Sequence, residues 1–255
     1  MHVSRIGLAL LKGTRHLGLD VLTLDASGPV GDRAFCLVDV EQRRVLRSVE
    51  NPSLVAVRAS YDGSDLALAL PDGSTLSAAP RDSGDELKAD YWGRTALLRL
   101  QDGPHAALLG DYLGRPVVLA RVEPGEVVYG GAVTLVTTAA LSELAARAAR
   151  PELAHQDARF RATLTVESER DLDGLAPGTM IRVGTATLEV RGRVPRCAVV
   201  DRDPVSGEKT APVLATLAGY RRGAGEVWFG LDARVVEPGQ VVPGAPVVPV
   251  DAWED

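Results

Sequence analysis

Short apolar runs separated by glycine, proline and aspartate set the pattern of this chain. "AFCLVDV" (34–40), "LVAVRAS" (54–60) and "LALAL" (66–70) occupy the first third. "PVVLARV" (116–122), "AVTLVT" (132–137), "ATLTV" (162–166), "MIRVG" (180–184) and "ATLEVRG" (186–192) follow, and "VWFGLDARVV" (227–236) and "APVVPV" (245–250) close the series. Runs of roughly four to eight residues rich in branched side chains have the length and composition of strands. Asp62-Gly63 and Asp72-Gly73 sit between such runs, where Asp-Gly tolerates positive φ at low cost and so marks a hairpin. The polar stretch "PRDSGDELKAD" (80–90) reads as an exposed loop. Many short strands with frequent turn residues predict a barrel or sandwich, not a doubly wound sheet: a mainly β chain with a few helices, of α+β class.

Three segments carry helical periodicity. "PHAALLGDYLG" is short and ends at Gly114. "TAALSELAARAAR" begins after Thr137 or Thr138, either of which suits an N-cap, and stops before Pro151. Its Leu141, Leu144, Ala145 and Ala148 share one face. "TAPVLATLAGYRRG" is expected to start with Thr210 as cap, to place Pro212 in the first turn and to stop at Gly223, with Val213, Leu214, Leu217 and Tyr220 as its apolar stripe. Stripes of this kind are more often core than cofactor site.

Composition narrows the function. The 255 residues are 45% hydrophobic and 24% charged, with a net charge of −6, and a chain of this length buries a full core without staples. An acidic balance argues against a broad nucleic-acid-binding face. The opening "MHVSRIGLALLKGTRH" is interrupted by Lys12 and is too short for a signal peptide's apolar region, and no run is long enough to span a bilayer. Two cysteines, Cys36 and Cys197, make no disulfide framework and no four-thiolate iron–sulfur cluster; they point to a reducing, cytoplasmic setting. The four histidines, His2, His16, His105 and His155, have no zinc-site spacing.

The candidate chemistry lies in arginines at strand ends and in one cysteine. Arg33 follows a glycine turn, Arg159 and Arg161 precede "ATLTV", and Arg196 stands in "VPRCAVV" at the mouth of another apolar run. A planar guanidinium there suits bidentate recognition of phosphate or carboxylate. Taken singly, each arginine is better explained by snorkelling or by pairing with a nearby acid, such as Asp32 for Arg33; three such strand-end arginines together point to an anion only if the fold brings them together. Lys12, at the end of "IGLALL", either caps that strand or donates to an anion, and "LKGT" lacks the glycines of a phosphate loop. Cys197 beside Arg196 is either a small buried hydrophobe or a soft ligand and nucleophile in a positive setting. Cys36, with no charged neighbour, reads as inert.

In order, "LLKGT", "GPVGDRAFCLVD", "RFRATLTV", "VPRCAVVDRDPVSGE", "VLATLAGYR" and "FGLDARVVEPG" resemble the MOSC family, named for the C-terminal domain of molybdenum cofactor sulfurase. The front part, "GDRAFCLVDVEQRRVLRSVENPSL", is similar to the N-terminal region associated with that domain. The resemblance implies a β-barrel holding a molybdenum cofactor of molybdopterin type, with Cys197 as the metal ligand. It also implies that Lys12, Gly13, Arg33, Arg161, Thr163, Pro195 and Arg196 lie against the cofactor, with Thr137 and Thr138 donating to it at a helix start. By analogy with relatives resembling the mitochondrial amidoxime-reducing component, residues 1–33 and 116–255 would form the MOSC barrel, with 34–115 inserted. Relatives often have Lys-Ser where this chain has Lys12-Gly13, Arg-Pro-Asn where it has Arg161-Ala162-Thr163, and Tyr in place of Asp232.

Three functions are compatible with that resemblance. The first is an oxidoreductase that reduces N-oxygenated small molecules, with Cys197 and Asp232 as catalytic residues, Asp232 as proton donor, and electrons from a separate reductase or iron–sulfur protein. The second is a sulfur carrier using a Cys197 persulfide; a pyridoxal-phosphate sulfurase domain, which MOSC domains accompany elsewhere, is not expected here. The third is a divergent barrel that binds another anionic ligand. In each the expected partner is a small molecule, not nucleic acid or membrane.

Overall fold

The computed structural model describes residues 1–250 and contains two main β assemblies. The larger is a nine-stranded sheet running Leu17–Leu19, His2–Leu8, Leu164–Glu167, Val133–Thr137, Glu226–Glu237, Ala186–Pro195, Met180–Val183 and Val247–Val250, with Arg222–Gly223 paired to the side of Glu226–Glu237. The sheet curls until Pro246 bridges back to His2. Val3, Ile6, Leu135, Leu164, Leu188, Leu231 and their neighbours fill its interior. The smaller assembly is a closed barrel of Arg81–Tyr91, Arg94–Asp102, Val118–Val122, Phe35–Asp39 and Arg44–Val45. Closure leaves every strand of it paired, which removes exposed edges. Mainly β with three helices, the fold is the expected class.

Val133–Thr137 and Leu164–Glu167 pair in parallel, and a parallel pair needs a crossover connection. Helix α2 (Thr138–Ala148) supplies it. Thr137 is the N-cap: its Oγ1 accepts the Ala140 N–H at 3.1 Å. Leu141, Leu144 and Ala145 are buried against Phe160, Val200, Leu217 and Phe229, with Ala148 at the margin. Helix α1 (His105–Leu113) ends at Gly114 in the left-handed conformation, as expected.

Several segments depart from the sequence reading. "PRDSGDELKAD" is not a loop: Arg81–Tyr91 is an eleven-residue strand pairing with Arg94–Asp102. Only Leu87, Ala89 and Tyr91 turn inward there, and a register shift between Asp82 and Glu86 interrupts the front half. Pairing within the barrel satisfies a backbone whose side chains carry little β signal. Leu54–Ala56 belongs to a 3-10 turn, Pro52–Ala56, with proline opening it, and the strand starts only at Arg58. Ala198–Asp201, apolar like a strand, is likewise a 3-10 turn.

Helix α3 is only Val213–Ala218, and Thr210 is not its cap. Asp201 takes that role from thirteen residues upstream, its Oδ1 accepting the Leu214 N–H at 2.8 Å. The strand Val118–Val122 pairs with Phe35–Asp39 inside the closed barrel, and the chain next enters the larger sheet at Val133.

Removing the remote cap should be felt locally. Asp201→Ala is expected to lower stability by about 1 kcal/mol, the usual loss for an N-cap acceptor. Urea unfolding monitored by circular dichroism checks this; a change within error would show that α3 does not depend on the carboxylate.

Candidate functional site

The strand Ala186–Pro195 ends where Arg196 donates its backbone N–H to Val227 O at 2.8 Å. Cys197 then adopts an extended conformation and becomes the N-cap of the turn Ala198–Asp201, its carbonyl accepting the Val200 N–H. This corner aims Cys197, which is partly exposed, into a cavity of about 190 Å³ at the junction of the two assemblies. Lys12, Arg33, Arg47, Arg161 and Arg196 line that cavity, and no Asp or Glu does.

Each cation is held by its local fold. Arg196 donates from Nε to Phe229 O at 2.8 Å and from Nη1 to Phe160 O at 2.9 Å. Its guanidinium lies 5.4 Å from the Phe160 ring centroid, and Phe160 stacks on Phe229 at 4.2 Å. Arg161 donates from Nη1 to Thr14 O at 2.7 Å. Nη2 of each of these two arginines is buried and has no partner. Burial lowers both guanidinium pKa values to about 10, with Arg33 adding repulsion. Lys12 donates from Nζ to the Tyr91 hydroxyl at 2.6 Å. Burial first, then Arg33 and Arg161, push its pKa well below the usual lysine value. Arg33 and Arg47 differ from the other three in being paired with carboxylates, Asp32 and Glu50. Donors bonded to carbonyls keep their charge uncompensated, so the cavity is built for an anion.

Of the residues singled out from the sequence, Lys12, Arg33, Thr163, Pro195, Arg196, Arg161 and Cys197 line the cavity. Four do not. Gly13 packs toward Leu54, at φ +96°. Thr137 and Thr138 sit at the opposite end of the strand Val133–Thr137, where Thr137 caps α2 and Thr138 bonds the backbone of Ser168. The cavity instead receives Thr134, from the near end of that strand. Thr134 and Thr163 accept each other's backbone N–H at 3.3 and 3.2 Å, which leaves both hydroxyl hydrogens free to donate.

Asp232 is the fourth. It lies behind the wall, its Oδ2 accepting the Gly131 N–H at 2.8 Å while its Oδ1 is buried without a partner. A Cβ on Gly131 would overlap that carboxylate. Asp232 thus pins the 131–132 segment of the wall and does not face the cavity.

Other expectations resolve simply. Arg159 is a buried clamp on the carbonyls of Val200 and Arg202 and on Gln156 and Thr210. Cys36 is buried in the small barrel, where desolvation raises its pKa to about 12; the inert reading fits. No group of three or more His, Cys, Asp or Glu that could hold a metal occurs among the described residues. The sequence reading missed Arg47, Tyr91, Trp92 and Tyr129, which also line the cavity. Tyr91 and Trp92 follow the segment read as a loop, so no pattern singled them out.

Comparison with known proteins gives the following. The model of the MOSC domain matches residues 114–248, and the model of the MOSC N-terminal beta barrel domain matches residues 3–116. No curated protein matches the chain. Among solved structures, YuaD of Bacillus subtilis is similar at 13% identity over 96% of this chain and 92% of its own, with a TM-score of 0.47. YiiM of Geobacillus stearothermophilus is similar at 20% identity over 48% and 55%, with a TM-score of 0.37. YiiM of Escherichia coli is similar at 17% identity over 51% and 60%, also at 0.37.

Burial raises the Asp232 carboxyl pKa above the usual carboxylate value, and the Gly131 N–H, Arg191 and Arg196 only partly offset it. A folded-state value above the unfolded one means that protonation favours the fold, and that this contribution is lost as pH rises through the folded-state value. Asn keeps an acceptor for Gly131. Asp232→Asn is therefore expected to match or exceed wild-type stability at pH 7, with the difference shrinking on acidification. Melting curves between about pH 4 and pH 7 check it; a variant that is less stable at pH 7 would show that the ionised carboxylate is needed.

Proposed function

Because the chain belongs to the MOSC family, its MOSC domain preceded by the family's N-terminal barrel, we propose that it is a molybdenum-cofactor oxidoreductase reducing N-oxygenated small molecules. One observation carries this reading. A partly exposed cysteine opens into a cavity free of carboxylates, where two buried guanidinium nitrogens, Arg161 Nη2 and Arg196 Nη2, have no partner.

The residues fit such a group. A single thiolate is a soft ligand but cannot hold a metal ion alone, so a metal beside Cys197 must bring its other ligands with it. A metal chelated by an anionic pterin meets that requirement, and the unpartnered arginine nitrogens match its anionic end. Arg161, Arg196 and Lys12 would bind the anion, Thr134 and Thr163 would donate from their hydroxyls, and Pro195 would shape the wall beside Cys197. When bound, the cofactor supplies the two-electron redox couple. The net reaction converts R–NH–OH, two electrons and two protons to R–NH2 and water. The protein's part is to orient the group, neutralise its charge and hold it away from bulk water. Two free cysteines build no cluster, so electrons would come from a separate reductase or iron–sulfur protein. For the domains, we infer that residues 34–115 form the inserted subdomain and that residues 1–33 with 116–255 form the MOSC barrel.

A second reading, a sulfur carrier, draws on the same accessible thiol: a Cys197 persulfide is anionic and would be favoured by the same cations. The test is metal analysis with pterin fluorescence on wild type and Cys197→Ser, both made in a host competent in cofactor synthesis. Near-stoichiometric molybdenum and pterin in wild type, with metal lost from the variant, is the expected result. Absent molybdenum together with a labile extra sulfur atom on Cys197, seen by mass spectrometry, would overturn it in favour of sulfur transfer.

A further inference from the structure

The hairpin joining Arg81–Tyr91 to Arg94–Asp102 turns on two residues, Trp92 and Gly93. Both have positive φ, +55° and +78°. Such turns favour Asn-Gly or Asp-Gly, because a side chain branching into a bulky ring is strained in the left-handed region. Trp92 is not a core residue, since it stays 40% exposed. Its indole lies at the cavity with its ring centroid 5.4 Å from that of Tyr129, tilted by 51°. Tyr129 is itself 45% exposed. Arg47 stacks on the indole at 4.4 Å, and its Nε is buried without a partner. Two exposed aromatic rings, drawn from opposite sides of the junction, therefore border the cavity that holds Cys197.

We propose that Trp92 and Tyr129 form a stacking platform that selects substrates carrying a flat aromatic ring, with Arg47 Nε donating to an acceptor on the ring or its substituent. This inference rests on the reductase reading for the nature of the reacting group, but not for the platform itself. The two rings contact each other, so a substrate ring lies across their cavity-facing surfaces rather than between them. Stacking leaves the N–O group to point inward, toward Cys197. Backbone strain retained at an exposed turn is explained by the placement of the indole; packing of the hairpin does not require it.

Trp92→Asn puts a favoured turn residue at the same φ, so it removes the ring without threatening the fold. Calorimetric titration of the full-length protein with benzamidoxime and with acetamidoxime compares a ring with a methyl group. Wild type is expected to bind the aromatic probe more tightly. Trp92→Asn and Tyr129→Ser should each weaken benzamidoxime by about 3- to 10-fold, the range of a lost aromatic pair. Acetamidoxime affinity should stay unchanged, and the melting temperature of Trp92→Asn should be equal or higher. Equal losses for both probes, or none, would overturn the platform. So would a Trp92→Asn variant that binds both probes normally but slows electron delivery to both equally, since the rings would then serve a redox partner. If wild type binds benzamidoxime through Trp92 but reduces neither probe, the platform stands and the reductase reading falls.

Discussion

The bonding of Arg161 and Arg196 to backbone carbonyls, rather than to carboxylates, is the constraint on which the rest of the site depends. Arg196 is fixed by Phe160 O and Phe229 O, and Arg161 by Thr14 O. These bonds set geometry without neutralising charge. Two unit charges about 6 Å apart repel by about 3 kcal/mol at an effective dielectric of 20, so clustered cations of this kind oppose folding unless an anion offsets them. The Lys12 pKa is depressed first by burial, with repulsion from Arg33 and Arg161 adding to it. A protein of net charge −6 that keeps acids off this one surface has arranged its charge locally, which the overall balance conceals.

Strain is concentrated in the same place. Among the described residues, Arg33, Arg43, Trp92, Ala149, Arg161 and Ala224 are the non-glycine residues with positive φ, and Arg33, Trp92 and Arg161 line the cavity. Each such residue costs on the order of 1 kcal/mol or more and persists only where the surrounding structure holds it. Arg33 is held by its backbone N–H to Ala9 O at 2.8 Å, and Arg161 by its N–H to Ala158 O at 3.0 Å. The left-handed turn at each arginine sets the direction in which its guanidinium leaves the backbone. The same geometry would suit a pterin, a persulfide or another anion, because what it specifies is charge and position.

The junction divides the work. The MOSC side contributes Cys197, Arg161, Arg196, Thr134 and Thr163, and the N-terminal barrel contributes Arg47, Tyr91 and Trp92. Lys12 connects them: its backbone N–H bonds Phe35 O in the small barrel while its ammonium bonds Tyr91. An anion bound at this point would touch both assemblies.

By itself the sequence determined the β class, the two Asp-Gly hairpins and the start of α2 at Thr137 or Thr138, and its likeness to the MOSC family pointed to Cys197 and most of the cations now found around it. Those features rest on local periodicity, on turn chemistry, or on the motif strings shared with the MOSC family. Tertiary structure decided the rest. Arg81–Tyr91 became a strand because barrel partners, not its own side chains, satisfy its backbone. Asp201 capped α3 from thirteen residues away. Thr134 rather than Thr137 or Thr138 reached the cavity, since a strand's two ends lie at opposite ends of the sheet, and Asp232 turned to Gly131 rather than to the cavity. Tyr91, Trp92 and Tyr129 carry no motif; only the meeting of two barrels gives them a common neighbour, and such long-range proximity leaves no local trace in the order of residues.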